Sequence, residues 1–300
     1  MTPPIPYLQR VRSYYQALGY GAPYEWAHFD AVPFQTLTRP LAECRVALIT
    51  TAAPFQPDKG EQGPGAPYNA AAKFYSVYSL DAAQDHDLRI SHVAIDRQHT
   101  SAADIASYLP LAALREAARL GRIGSVAARL HGAPTQRSQA TTMNIDAPEI
   151  VARCRADGAD AALLVPNCPV CHQTLSLMAR ALEAAGIATV VMGNARDITE
   201  HVGVPRLLFS DFPLGNGAGK PHDAESQKLT LEMALNLLVS AKAPRTTFVS
   251  NLRWADHDDW KLDYCNVERL SSAQIAQRRT EFDAGKALAR LAKAVNKTPE

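Results

Sequence analysis

Three hundred residues, 47% of them hydrophobic, are enough to bury a large core, which excludes a disordered chain. A net charge of +1, with Lys and Arg scattered along the chain, leaves no electrostatic footprint for nucleic acid or an anionic membrane surface. No window approaches the roughly 18 apolar residues of a membrane span, the first residues lack an apolar core of signal-peptide length, and five cysteines are an odd number for a disulfide framework, so the expectation is a cytoplasmic protein with reduced thiols.

Residues 1–40 read as an N-terminal arm, a short helix over 7–18 followed by an aromatic, proline-bearing segment suited to packing on a neighbour. Residues 45–51, RVALITT, are a buried strand ending in Thr50 and Thr51, where hydroxyl and backbone groups can meet a ligand. The Pro- and Gly-rich residues 54–69 are too long for a plain connector and read as a lid or a solvated excursion. Residues 87–95, DLRISHVAI, alternate like a strand and deliver Ser91, His92 and Asp96 close together. A helix over 111–120 follows, then a polar loop over 132–142 in which Arg137 is placed to receive a substrate carboxylate bidentately. A helix over 147–157 leads to the centre of the chain.

Residues 157–192, DGADAALLVPNCPVCHQTLSLMARALEAAGIATVVM, read as strand, tight turn, helix and strand. Pro166 and Asn167 end the first strand, and Leu175, Met178, Ala179 and Leu182 recur at helical spacing up to Gly186. Pro169 suits the first helical position, which puts Cys168 at the N-cap and Cys171 at the third residue of the helix. Helix N-termini and C-x-x-C pairs lower a thiol pKa from about 8.5 by one to several units, so Cys168 is expected to be partly ionised at neutral pH. An N-cap side chain and the third helical residue approach each other, so a reversible disulfide between Cys168 and Cys171 is geometrically reasonable. The competing reading is a buried pair or half a zinc site, although no second C-x-x-C or H-x-x-x-H accompanies it. Cys44, Cys154 and Cys265 read as structural.

Asn194, Arg196 and Asp197 follow the second strand on its ligand side. A further strand over 207–210 runs into DFPLGNGAGKPHD, where Gly215, Asn216 and their neighbours suggest backbone brought close to a ligand, though the Walker spacing is absent. A helix over 224–240 comes next, and residues 241–300, with alternating aromatic and charged groups and a terminal basic helix, form a tail that is either a dimer arm or a packing segment. The whole reads as an α/β fold of two Rossmann-like halves, 41–145 and 150–240, the second carrying the CxxC turn, with a mainly parallel sheet and the site at the strand C-terminal ends. Thr50 and Thr51 stand where a two-cysteine amino-acid racemase would place its other thiol.

Taken together, LVPNCPVCHQT, DLRISH, ARDITEHVGVPR and DFPLGNGAGKPHD, spread over roughly residues 41–240, resemble the selenoprotein B family of glycine, betaine, sarcosine and D-proline reductases. That family has selenocysteine followed by Pro-x-Cys-His-Gln-Thr, matched here by Cys168, Pro169, Val170, Cys171, His172, Gln173 and Thr174. The resemblance implies an α/β fold and a nucleophilic chalcogen at Cys168 that cleaves a carbon–heteroatom bond, often with partner subunits and a reducing system. Here sulfur replaces selenium.

The expected function is a cysteine-dependent enzyme acting on a small carboxylate. A desulfhydrase releasing hydrogen sulfide from a cyclic thioamide or thiourea, such as a thiohydantoin propionate from ergothioneine breakdown, stands first, because a thiocarbonyl carbon is electrophilic enough for a thiolate. A dithiol-dependent reductase of the glycine or D-proline reductase type is the alternative. A metal-binding or redox-sensing module built on Cys168, Cys171 and His172 is the third. In the enzyme readings Cys168 attacks, Cys171 resolves, His92 or His172 moves protons and Asp96 orients a histidine. Substrate contacts are expected from Thr50, Thr51, Ser91, Arg137, Asn167, Gln173, Thr174, Asn194, Arg196, Asp197, Gly215 and Asn216. No bound cofactor is required. A thioredoxin-like or small-thiol reductant and a second copy of the chain are the expected partners.

Overall fold

A computed structural model describes residues 2–295; the ends of the expected arm and tail, Met1 and residues 296–300, lie outside the described residues. Its frame is β1 (Arg45–Thr50), β2 (Ala53–Pro54), β3 (Tyr78–Asp81), β4 (Leu88–Arg89), β5 (Ser125–Val126), β6 (Arg129–Gly132), β7 (Ala161–Val165), β8 (Ala188–Gly193), β9 (Arg206–Phe209) and β10 (Thr246–Val249). The helices are α1 (Tyr7–Ala17), α2 (Leu111–Arg119), α3 (Gln139–Thr141), α4 (Ala147–Ala156), α5 (Pro169–Ala184), α6 (Arg196–Val202), α7 (Ala224–Ser240) and α8 (Ser272–Val295).

One eight-stranded sheet runs β10-β9-β8-β7-β1-β6-β3, with β5 also on β1 and only β3 antiparallel to its neighbour. The sheet is continuous across the two α/β segments, because β1 of the first pairs with β7 of the second from Val46↔Ala161 to Thr50↔Val165. Strand alternation sorts the side chains into two layers. Val46, Leu48, Leu163, Val190 and Met192 face α2 and α7 through Leu114, Leu231 and Leu235, while Ala47, Ile49, Ala162, Leu164 and Val191 face α4 and α5 through Ile150, Leu175, Met178 and Leu182. Helices on both faces make the central strands apolar on both sides, the pattern that marked them in the sequence. Among the described residues no helix is long and apolar enough to cross a membrane.

Several elements differ from expectation for reasons of local hydrogen bonding. Within 87–95 only Leu88–Arg89 is extended; beyond it the chain coils, because the Arg97 guanidinium gathers the carbonyls of Ser91, Val93 and Ala66 at 2.6, 2.9 and 2.9 Å. Residues 132–142 are not all loop: β6 ends in them, and Ser138 caps a helix from Gln139 that runs through a π turn at Thr142–Asp146 into α4. The excursion over 54–69 is stapled by Asn69 Nδ2, which donates to the carbonyls of Lys59 and Glu61 at 2.8 and 2.7 Å. The tail contributes β10, not read from its mixed composition, and α8, where a terminal basic helix was expected.

The N-terminal arm, expected on a neighbour, packs on its own chain. Ile5 and Tyr7 join Ile198, Leu214, Trp260 and Tyr264, and the Leu8 N–H donates to Asp197 at 2.8 Å. Deeper in, Arg206 and Glu183, both fully buried, pair at 2.8 Å. The same guanidinium donates to the Gln35 carbonyl at 2.6 Å and lies 4.2 Å from the Phe34 ring, while the carboxylate accepts from Gln35 N–H and from Thr189 N–H and Oγ1–H. One pair thus joins the arm to α5, β8 and β9. Glu183→Ala leaves a buried guanidinium without its counterion and is expected to destabilise the chain by about 3–5 kcal/mol in denaturant unfolding; Glu183→Leu with Arg206→Met should be milder than the sum of the two single changes.

Candidate active site

The chain leaves β1 towards β6 on one side and leaves β7 towards β8 on the other, so the sheet's switch point, where ligands bind in open α/β sheets, lies between the ends of β1 and β7. Thr51 and Asn167 meet there: Thr51 Oγ1 accepts from Asn167 N–H at 3.2 Å and from its Nδ2 at 3.1 Å. Thr50 Oγ1 is used one step earlier, accepting from Ala52 N–H at 3.1 Å. The strand ends are thereby tied, and the next residue is Cys168.

Cys168 is the extended N-cap of α5, Pro169 begins the helix, and Cys168 Sγ accepts from Cys171 N–H at 3.2 Å, as the spacing predicts. The two cysteines form a disulfide with Cα atoms 4.9 Å apart, and both are buried. Cys44 and Cys154 are buried free thiols and Cys265 a half-buried one; burial pushes the Cys154 and Cys265 thiols up to about 12.

His172 does not fill the proton-moving role expected of it. Its Nε2 accepts from Asn194 N–H at 2.9 Å and Ala195 N–H at 3.1 Å, so the proton resides on Nδ1, which donates to the Cys168 carbonyl at 2.7 Å. Both nitrogens are committed to backbone. A Cβ at Gly193 would lie 3.0 Å from this ring, so glycine is what lets β8 approach it.

His92 is the contrary case. It is 1% exposed, neither ring nitrogen makes a well-aligned hydrogen bond among the described residues although the Thr51 backbone is close enough to favour its charged form, and its ring lies 5.6 Å from that of Phe74. Burial first, and then the Lys73 ammonium, push its pKa down to about 3, which keeps it neutral at physiological pH. Asn167 Oδ1, Asn194 Oδ1, Ser91 Oγ and Thr174 Oγ1 are likewise buried without partners among the described residues. Such groups are costly unless something supplies the missing hydrogen bond.

Other expected contacts serve the protein itself. Asp96 makes no hydrogen bond to either histidine; the coiled path of residues 90–97 leaves it accepting from Gln98 N–H, and burial pushes its pKa up to about 6. Gln173 accepts from Ala27 N–H and donates to Tyr24 Oη, at 2.8 and 2.7 Å, holding the arm. Asp197 binds Leu8 N–H, and Arg196 pairs with Glu200 at 2.8 Å along α6. Asn216 Nδ2 donates to the Pro213 carbonyl at 3.0 Å, and the φ of +106° at Gly215 brings that backbone against Ile95. Arg137 lies at the exposed mouth, donating to Tyr15 Oη at 2.8 Å. Among the described residues no three His, Cys, Asp or Glu side chains converge to hold a metal ion, so the thiol pair has no third ligand. Lys73, Phe74 and Arg97 were missed; a lone lysine in the apolar stretch AAAKFY was the available signal for the first.

Burial of His172 also sets a pH dependence. Its folded pKa, about 4, is below the unfolded value of 6.5, so as pH falls between them the unfolded chain takes up the proton first and stability is lost. His172→Asn should remove up to one proton, about 1.4 kcal/mol per pH unit, from the acid slope of unfolding free energy, read from urea titrations at stepped pH.

The chain is 28% identical over 209 residues to the D-proline reductase subunit gamma of Acetoanaerobium sticklandii, covering 68% of this chain and 81% of that one. It is 26% identical over 230 residues to the glycine reductase complex component B subunit gamma of Carboxydothermus hydrogenoformans, and 25% over 236 residues to that of Symbiobacterium thermophilum. These alignments cover 73% and 76% of this chain but span only 51% and 54% of the relatives, about half their length. No protein-family model matches, and no solved structure gives a significant match. The chain is thus a homologue, at modest identity, of the D-proline and glycine reductase subunits, the selenoprotein B family.

Proposed function

We propose that this chain is a dithiol-dependent enzyme that reductively cleaves a carbon–heteroatom bond of a small carboxylate substrate. The observation that carries the reading is the Cys168–Cys171 pair at the N-terminus of α5, set at the switch point between β1 and β7. Its kinship with reductase subunits supports the same chemistry.

The reaction balances without a bound cofactor. A substrate R–X and the dithiol give R–H, HX and the Cys168–Cys171 disulfide: Cys168 attacks as thiolate, Cys171 closes on its sulfur, and two electrons and two protons pass to the substrate carbon and the leaving heteroatom. An external dithiol or thioredoxin-like protein then restores the pair. His92, with unpartnered nitrogens beside the crevice, is the group available to hold or relay a proton in its neutral form. The amide oxygens of Asn167 and Asn194 are acceptors suited to substrate N–H groups. The macrodipole of α5 favours negative charge at the attacking sulfur.

A second reading, hydrolytic desulfuration, draws on sulfur occupying the position that the resemblance gives to selenium. A thiocarbonyl and water yield a carbonyl and hydrogen sulfide with no net electron transfer, so a thiohydantoin propionate of the ergothioneine type would consume no reductant. The two readings part at Cys171. With D-proline, other cyclic amino acids and thiohydantoin carboxylates as a panel, and thiol reductant varied, the reductase reading expects turnover strictly dependent on reductant and lowered by about 100-fold or more in both Cys168→Ser and Cys171→Ser. Sulfide release that needs no reductant and survives Cys171→Ser within a fewfold change would replace it with desulfuration; wild-type activity in Cys168→Ser would end both.

A further inference from the structure

Two cations stand over the same crevice without a counterion. Lys73 precedes β3 and Arg137 follows β6, and these adjacent antiparallel strands, paired Tyr78↔Gly132, bring both loops to the sheet end where Cys168 lies. Lys73 Nζ is 5.9 Å from the Tyr68 ring centroid, and the next residue, Phe74, abuts His92. The Arg137 guanidinium is 4.9 and 5.9 Å from the Tyr15 and Tyr24 rings, its carbonyl accepts from Tyr24 Oη at 2.8 Å, and Tyr24 Oη accepts from Gln173 on the first turns of α5. Aromatic contacts thus hold both groups, Lys73 near His92 and Arg137 near enough to Lys73 for their charges to interact.

Among the described residues neither side chain makes a salt bridge. Burial and the nearby Arg137 together push the Lys73 pKa down. Lys73 is the desolvated member of the pair and Arg137 the exposed one; their like charges oppose each other, and an anion between them relieves the repulsion. Other buried or half-buried cations are satisfied, Arg206 by Glu183, Lys261 by Asp211 and Arg129 by Asp157, and Arg97 and Arg180 by backbone carbonyls.

We infer that Lys73 and Arg137 together receive the substrate's carboxylate and present the rest of the molecule to Cys168. This rests on the reading that Cys168 attacks a small carboxylate, and it assigns the charged end to the loops before β3 and after β6 and the reacting end to the β1–β7 crevice.

The test needs no turnover. Iodoacetate and its neutral amide, iodoacetamide, both alkylate a thiolate, an S–CH2 bond forming as iodide leaves, and differ in the carboxylate. In the full-length chain carrying Cys171→Ser, fully reduced, alkylation of Cys168 is followed by peptide mass spectrometry, and the iodoacetate-to-iodoacetamide rate ratio is taken. The ratio should fall about tenfold in Lys73→Met and in Arg137→Gln, the scale of one charge-assisted contact, and hold in Lys73→Arg. A ratio unchanged within about twofold in both neutral variants overturns the assignment. If both neutral variants lower the ratio while the wild-type chain turns over no member of the substrate panel, the failure lies in the reaction class and not in the carboxylate site.

Discussion

His172 is the tie on which the crevice depends. One neutral imidazole ties a strand end to a helix N-cap: Nδ1–H donates to the Cys168 carbonyl, which also accepts the first helical bond from His172 N–H at 3.0 Å, and Nε2 takes the Asn194 and Ala195 N–H groups. The distance from the thiol turn to the end of β8 is therefore set by the width of a ring. Replacing the ring alters the turn, the start of α6 and the amide of Asn194 together. Gly193 and Gly217, which a Cβ would drive within 3.0 Å of the His172 ring and 2.7 Å of the Met192 carbonyl, are the concessions the backbone makes to this closeness.

The same economy explains why so many polar side chains near the thiols turn out to be structural. Gln173 and Asp197 hold the N-terminal arm, Thr51 holds Asn167, and Arg97 shapes the segment that carries His92. A crevice made of loop ends has no ladder of its own, so its backbone groups are satisfied by side chains. What remains unsatisfied is correspondingly informative: His92, Asn167 Oδ1 and Asn194 Oδ1, with the hydroxyls of Ser91 and Thr174, are buried without partners among the described residues.

The central βαβ unit was legible because its signals are local. Two apolar strands, a proline at the first helical position and a cysteine at the N-cap specify their geometry within 36 residues, and the sheet and thiol pair follow. The segment 87–95 was not legible, since its alternation is overridden by one distant-acting guanidinium that gathers three carbonyls. Lys73 and His131 were missed for a related reason. Their roles come from pairings across β3 and β6, such as Ser79 with His131 at 2.8 Å, and no window of the sequence shows an antiparallel strand joining a parallel sheet from a segment fifty residues away. His172 was recognised as belonging to the site but given the wrong task, because a motif reports which residues gather and not which of their atoms are already spoken for.

That distinction bears on how the crevice divides its labour. An unpartnered buried polar group disfavours folding by about 1–3 kcal/mol, so the uncompensated acceptors near Cys168 weigh against a chain that is only marginally stable overall. Filling the same positions with apolar side chains would remove that penalty, yet the neighbouring residues are packed to full burial and leave the acceptors pointing inward. The uncompensated groups are His92 and the two asparagine oxygens of the segments that follow β7 and β8, while Lys73 and Arg137 are cations without a salt bridge among the described residues. A molecule with an anionic end and N–H groups a few atoms away satisfies both at once. On the proposed reading, the crevice is complementary in charge and in hydrogen bonding to one orientation of such a molecule, with its reacting bond turned towards sulfur.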